Sequence, residues 1–139
     1  TVSITKNYAR LGSEDIIQTP KTPKSKRTIT LPAEIMEMVK EYSSMLYDYK
    51  PTDRLFAVTK SYLTHEMQRG CKLSGVKKIR IHDLRHSHAS LLIELGFAPL
   101  LISERLGHEN VETTLNTYSH LYPNKHGEVA ETLSKLIQN

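Results

Sequence analysis

The sequence has no tryptophan, two phenylalanines and a single cysteine among its 139 residues. Cys71 has no second cysteine with which to form a disulfide inside the chain, which fits a reducing compartment. The longest apolar stretch, residues 89–103, is interrupted by Glu94, Gly96 and Pro99, so it is too short to cross a membrane. We therefore expect a cytoplasmic protein with no membrane partner, in which residues 1–139 form a single domain.

The charged residues favour the basic side only moderately. Nineteen lysines and arginines stand against 15 aspartates and glutamates, a formal charge of +4. This balance is compatible with a polyanionic partner such as DNA, but many unrelated basic proteins share it. The function has to be sought in the motifs.

The first 31 residues alternate between apolar and polar positions. Their apolar residues fall into three groups: Val2 with Ile4, Ile16 with Ile17, and Ile29 with Leu31. The turn-rich segments ARLGSE and PKTPKSK separate these groups. The pattern predicts β-hairpins over residues 1–31 that form a small three-stranded antiparallel sheet.

From residue 32 to residue 139 the apolar spacing becomes helical. It predicts six helices, over residues 32–50, 60–73, 82–95, 99–106, 111–118 and 127–137. A small sheet followed by a mostly helical bundle is an α+β fold.

The stretch IRIHDLRHSHAS places three histidines and two arginines around the start of the third helix. His82, Arg85 and His86 are three or four residues apart and therefore share one helix face. A guanidinium between imidazoles near a helix N-terminus forms a good receptor for an anion, and the natural ligand is a phosphate. Two alternatives stay open: a solvated charged helix start, and a zinc site that includes His82 and His86.

The segment RLGHENVETTLNTYSHLY begins in the last turn of the fourth predicted helix. Its Leu106-Gly107 pair ends that helix, His108 lies in the turn, and Tyr118 lies one short helix further on. A histidine in a turn is free to face a ligand. On its own, however, His108 is more often a turn residue, and Tyr118 more often a half-buried aromatic.

A basic loop, TPKTPKSKRT, precedes the last predicted strand. It contains Lys21, Lys24, Lys26 and Arg27. Such a loop is either a solvated turn or a patch that contacts DNA phosphates without sequence preference. A lysine that reached an active site would also be able to donate a proton.

Taken in order, these motifs resemble a known family. Lys21 in a hairpin, His82-Asp-Leu-Arg85-His86, Leu106-Gly107-His108 and Tyr118 are similar to the C-terminal catalytic domain of the tyrosine recombinases, in particular phage and conjugative-element integrases. The resemblance covers essentially the whole chain. It implies site-specific cutting and rejoining of double-stranded DNA through a covalent 3′-phosphotyrosine, without a metal, another cofactor or a small-molecule substrate.

The resemblance also assigns roles to residues. Tyr118 would be the nucleophile, and Arg85 would hold the scissile phosphate and stabilise its transition state. His82 and His108 would assist at the same phosphate, while His86 would support them from behind. Lys21 would be the general acid, with Lys24 as its rival. Basic residues of the loop would bind DNA: Lys24, Lys26 and Arg27.

One feature of the family is missing from these motifs. The family carries a further catalytic arginine on a helix before the hairpin, and Arg10, which follows the first strand, does not replace it convincingly. We therefore expect an N-terminally truncated fragment that lacks this arginine and the N-terminal DNA-binding domain. The resemblance implies a homotetramer on DNA for the full-length protein, while the fragment alone is expected to be monomeric. The last helix would dock on its own domain or on a neighbouring subunit.

A non-catalytic function is the alternative. Residues 91–108 resemble a helix-turn-helix, with Gly96 in the turn, so the chain would bind DNA without reacting with it. Its second helix is mostly apolar, which makes it a poor element for contacting bases.

Overall fold

The computed structural model describes residues 1–12, 14–124 and 126–137. Four strands come first: β1 Val2–Ile4, β2 Asn7–Leu11, β3 Glu14–Gln18 and β4 Arg27–Ile29. Six α-helices follow: α1 Ala33–Met45, α2 Lys60–Ser74, α3 Asp83–Glu94, α4 Pro99–Leu106, α5 Val111–Tyr118 and α6 His126–Ile137. Short 3₁₀ turns occupy Pro23–Ser25 and Ser119–Leu121. The predicted α+β class is confirmed.

The strands form two antiparallel pairs instead of the predicted single three-stranded sheet. β1 pairs with β4, so that Ile4 lies opposite Arg27, and β2 pairs with β3 as a hairpin that turns at Gly12. The segment ARLGSE, predicted as a turn, contains the last three residues of β2. This hairpin is largely exposed on both faces, and its sequence NYARL therefore lacks the strict apolar alternation by which a half-buried strand is detected.

The helices match the predicted positions closely. Both ends of α4 and of α5 are as predicted, and the one marked difference is α1, which ends at Met45 rather than near residue 50. Leu46 is extended and Asp48 has a φ of 49°, a conformation that aspartate tolerates better than most residues. No helix in the described part of the chain is long and apolar enough to span a bilayer.

The hydrophobic core is small and lies between α3, α4 and the end of α5. It consists of Ala89, Ile93, Ile102, Leu106 and Tyr118, none of them more than 5% exposed. By contrast, α1 and α6 bury no residue. The best-packed part of the molecule is therefore the part that carries the histidine, arginine and tyrosine motifs.

A side-chain link joins this core to the strand region. The Arg105 guanidinium donates from Nε to Nε2 of His88 at 3.0 Å and from Nη1 to the Thr30 carbonyl at 3.1 Å. Burial and the Arg105 charge both lower the pKa of His88, so its ring is neutral and able to accept this bond. His88 is thus engaged in holding α3 and α4 together.

The start of α3 is fixed by Asp83. Its carboxylate accepts a hydrogen bond from the Arg80 backbone N–H at 2.9 Å and from the Arg80 guanidinium at 2.8 Å. These bonds lower the pKa of Asp83 to about 2. An acidic residue in the first turn also interacts favourably with the helix dipole. These bonds fix the backbone at the start of α3, directly after His82.

Replacement of Ile102 by alanine should destabilise the core strongly. Ile102 is fully buried, and the cavity left by the change costs about 2–5 kcal/mol in free energy of unfolding. Leu100→Ala, on the same helix at a position that is 59% exposed, is the matched control and should change stability by less than about 0.5 kcal/mol. Urea denaturation measures both, and equal losses would contradict the assigned core.

Replacement of Asp83 by asparagine should destabilise the fold in a pH-dependent way. Because the pKa of Asp83 falls from 3.8 to about 2 on folding, its charge stabilises the native state above pH 3.8, and this contribution disappears as the pH falls through about 2. The difference in unfolding free energy between wild type and Asp83→Asn should shrink over that window. Arg80→Met keeps the bond from the backbone N–H and should lose less; a pH-independent difference for Asp83→Asn would rule out this role.

Candidate active site

Arg85 connects the first turn of α3 to the far end of α4. Its Nη2 donates a hydrogen bond of 2.7 Å to the Leu106 carbonyl, across 21 positions of sequence. The Leu106 carbonyl belongs to the last turn of α4, where backbone acceptors have no partner inside the helix. This bond brings the guanidinium to the Gly107-His108 turn, so two of the predicted site motifs are indeed neighbours.

His108 is held by the helix that follows it. Its Nδ1 lies 2.8 Å from the hydroxyl oxygen of Thr114, which is completely buried in α5. Burial lowers the pKa of His108, and so do the nearby charges of Arg85 and Arg27. The ring is therefore neutral at pH 7 and fixed in orientation, and His108 lines a cleft at this end of α4.

Tyr118, the last residue of α5, contacts α3 through His86. The Tyr118 hydroxyl lies 2.7 Å from Nδ1 of His86, and the two ring centroids are 5.8 Å apart. The His86 ring in turn makes an edge contact with His82, at 5.4 Å between centroids. His82, His86 and Tyr118 therefore form a continuous row of rings. The family resemblance predicts that His86 supports the site from behind, and its ring directly contacts the tyrosine hydroxyl.

The hydroxyl of Tyr118 lies inside the protein. The residue is only 4% exposed; burial raises the pKa of its phenol, and the Arg85 charge opposes that rise. Tyr122, the other tyrosine in this region, packs against the same core, and its buried hydroxyl has no hydrogen-bond partner among the residues that the structure describes. The Tyr118 hydroxyl, by contrast, contacts the predicted site residue His86.

The basic loop contributes to a cleft beside His108. Lys24, Lys26 and Arg27 line this cleft of about 480 Å³ together with His108. Lys21 is exposed and does not line it. Of the two candidate acids, Lys24 is thus the one that lines the cleft with His108, while Lys21 stays a prediction.

Arg27 has a more specific position than the sequence analysis gave it. Its Nε donates to the Arg105 carbonyl at 2.9 Å and its Nη1 to the Ser25 carbonyl at 3.1 Å, so the guanidinium is half-buried against the end of α4. The alternation in β4 contained a signal for this: Arg27 and Ile29 share the inward face of the strand, and Thr28 between them is exposed.

The geometry gives little support to the helix-turn-helix interpretation and to the zinc-site interpretation. Helix α4, the second helix of the helix-turn-helix interpretation, buries Ile102 and Ser103 and engages Arg105 internally, so it presents no free polar face to DNA. In the described part of the chain, no three histidine, cysteine or acidic side chains are grouped as metal ligands. The imidazoles of His86 and His108 are instead paired with hydroxyl groups.

Arg10 lies in β2 rather than in the turn where the sequence analysis had placed it. Its side chain approaches Asp15 across the hairpin at 3.7 Å. Among the interactions of the described residues, it contacts the hairpin and none of the predicted site residues.

Comparison with known proteins identifies the family. The family model described as the phage integrase family matches residues 2–125. The ICEBs1 integrase of Bacillus subtilis is 31% identical over 98% of this chain and 40% of its own length. The integrase of Staphylococcus phage L54a is 28% identical over 99% of this chain and 42% of its own length. A XerC-like tyrosine recombinase from Caldanaerobacter subterraneus is 29% identical over 88% of this chain. The chain spans about two fifths of the length of the two integrases. The chain belongs to the phage integrase family of tyrosine recombinases.

Proposed function

We propose that this chain is the catalytic part of a site-specific DNA recombinase that cuts and rejoins DNA strands through a covalent phosphotyrosine. The observation that carries the proposal is the convergence of three distant motifs: Arg85 bonds to Leu106 beside His108, and Tyr118 bonds to His86 one residue further along α3. Membership of the phage integrase family supports the same reaction.

Arg85 and His108 would bind the scissile phosphodiester. A guanidinium offers a paired donor geometry that suits two phosphate oxygens, and the neutral imidazole of His108 donates a further hydrogen bond through Nε2. His82, at the start of α3, would add a third donor. Charge that develops on the phosphate in the transition state is then stabilised by groups already fixed in place by their contacts.

Tyr118 would attack the phosphorus through its hydroxyl oxygen. The phenolic proton leaves, the new oxygen–phosphorus bond forms, and the bond to the 5′-oxygen breaks. His86 is placed to accept the phenolic proton because its Nδ1 already contacts the hydroxyl. Tyr118 is only 4% exposed, so its hydroxyl has to become accessible before it reacts. The reverse attack by a 5′-hydroxyl rejoins the strand.

A lysine of the basic loop would protonate the departing 5′-oxygen. Lys21 is the residue that the family resemblance assigns, and Lys24 is the residue that lines the cleft with His108. The flexible four-carbon stem of lysine allows either ammonium group to reach a bound phosphate. Separate Lys21→Ala and Lys24→Ala variants decide between them. A DNA substrate with a better leaving group should restore cleavage only in the variant that has lost the general acid.

Double-stranded DNA is the proposed partner, in the cytoplasm of a bacterial cell. Lys24, Lys26 and Arg27 would contact its backbone, and binding should weaken with salt because phosphate contacts dominate. We also propose assembly of four copies of the complete protein on DNA. Helix α6 supports this, since its apolar residues are all more than half exposed: Val129, Leu133, Leu136 and Ile137.

Replacement of Tyr118 by phenylalanine should abolish covalent attachment to DNA. The change removes only the nucleophilic oxygen and keeps the buried ring. The substrate is a nicked duplex that carries the recombination site. Cleavage releases a short strand that diffuses away, so the covalent adduct accumulates and is detected on a denaturing gel. In the full-length protein, wild type and Tyr122→Phe should both form adduct, whereas Tyr118→Phe should bind the duplex and form none. Adduct from Tyr118→Phe, or none from wild type, would contradict the proposal.

Replacement of Arg85 by alanine should slow formation of the same adduct. Loss of one donor to a developing charge typically lowers a rate by about 10²- to 10³-fold. Arg10→Ala, which removes an exposed guanidinium of the β2–β3 hairpin, is the control and should leave the rate unchanged. Circular dichroism checks that both variants fold, and a loss below about tenfold for folded Arg85→Ala would exclude Arg85 from the transition state.

A further inference from the structure

Two guanidinium groups from different elements are attached to the same helix end. Arg27, from β4, donates to the Arg105 carbonyl, and Arg85, from α3, donates to the Leu106 carbonyl. These carbonyls belong to consecutive residues of the last turn of α4. The two positive groups are consequently close enough for the Arg85 charge to contribute, after burial, to a lowered pKa of Arg27.

Gly107 makes room for this arrangement. The residue has a φ of 72°, and a Cβ atom built on it would lie 2.5 Å from Nη1 of Arg27. Any side chain at position 107 would therefore displace the guanidinium. The Arg27 group covers the backbone of the turn that presents His108, so it is placed directly beside the proposed phosphate site.

The site has an excess of positive charge. Among the residues that the structure describes, neither Arg27 nor Arg85 forms an ion pair with a carboxylate, although Glu104 and Glu112 line the adjoining cleft. Buried or half-buried charges are normally paired, because an unpaired charge loses hydration without compensation. Two neighbouring unpaired guanidinium groups indicate that the missing partner is an anionic ligand.

We propose that Arg27 is a second guanidinium of the phosphate site and binds the same phosphodiester as Arg85. This inference rests on the proposed function and changes the part that Arg27 has in it, from a general contact with the DNA backbone to a ligand of the reacting phosphate. Nε and Nη1 of Arg27 are held by carbonyls, while Nη2 has no partner among the described residues. The held side fixes the group, and Nη2 is left to donate to the phosphate oxygen.

The competing explanation is a purely structural role, in which Arg27 only ties β4 to α4. Arg105 offers a matched control for it. Its guanidinium also joins the strand region to the helices, through Thr30 and His88, and Arg105→Met removes one positive charge as Arg27→Met does. Arg105 contacts His88 instead of His108, so its loss should affect folding without affecting the phosphate site.

Inorganic phosphate serves as the probe, followed by NMR of the histidine rings and arginine side chains, with sodium chloride of equal ionic strength as the blank. We expect saturable phosphate shifts at His108 and Arg85 in wild type and in Arg105→Met. Arg27→Met should weaken phosphate binding at least about tenfold, the loss of a hydrogen bond to a charged group. It should also raise the pKa of His108, because the Arg27 charge lowers it.

Arg27→Lys separates charge from geometry and also serves if Arg27→Met does not fold. It should leave the titration of His108 nearly as in wild type, since the charge remains, while phosphate binding falls several-fold because the fixed fork is lost.

Equal phosphate affinities in Arg27→Lys, Arg27→Met and wild type, or equal losses in Arg27→Met and Arg105→Met, would overturn the role of Arg27 alone. Arg85→Met tests the underlying site: if it binds phosphate as wild type does, or if wild type shows no saturable shift, the proposed phosphate site itself is wrong.

Discussion

The candidate site depends on the backbone carbonyls at the C-terminal end of α4. A helix leaves its last carbonyl groups without internal partners, and here side chains from two other elements supply them. Arg85 brings α3 to this end, and Arg27 brings β4 to it. The Gly107-His108 turn follows immediately. If these carbonyls pointed elsewhere, Arg85 and His108 would have no structural reason to be neighbours, and the motifs would remain separated as they are in sequence.

The proposed nucleophile belongs to the hydrophobic core as well as to the site. Tyr118 packs with Ile93 and Ile102, and its hydroxyl is bonded to His86. Burial stabilises the protonated phenol, whereas a nucleophile has to lose its proton, so the two roles oppose each other. Movement of the end of α5 toward solvent would relieve the burial and leave the hydroxyl near the positive groups.

Much of the helical architecture was predictable from the sequence because the residues that begin and end helices agreed with the spacing of the apolar residues. Pro99 and Gly107 delimit α4 at both ends, and the spacing of its apolar residues is that of an amphipathic helix. Of the β2–β3 hairpin, β3 is predicted by Ile16 and Ile17, whereas β2 is not, because a largely exposed strand has little apolar alternation. The choice of site residues came from a resemblance between motifs and not from geometry. The close contact of His86 with Tyr118 joins residues 32 positions apart, which no local pattern encodes.

Arg27 and Arg105 illustrate why composition says little about the role of a basic residue. Both are arginines of the same small region, both donate to backbone carbonyls, and both help to join the strands to α4. Their difference lies in the imidazole beside each one. The Arg105 guanidinium donates a hydrogen bond to the neutral ring of His88, which lies outside the proposed phosphate site. Arg27 lies against Gly107 and adds its positive charge next to His108 and Arg85. Two like charges at one helix end favour a bound anion, whereas an arginine bonded to a neutral ring does not.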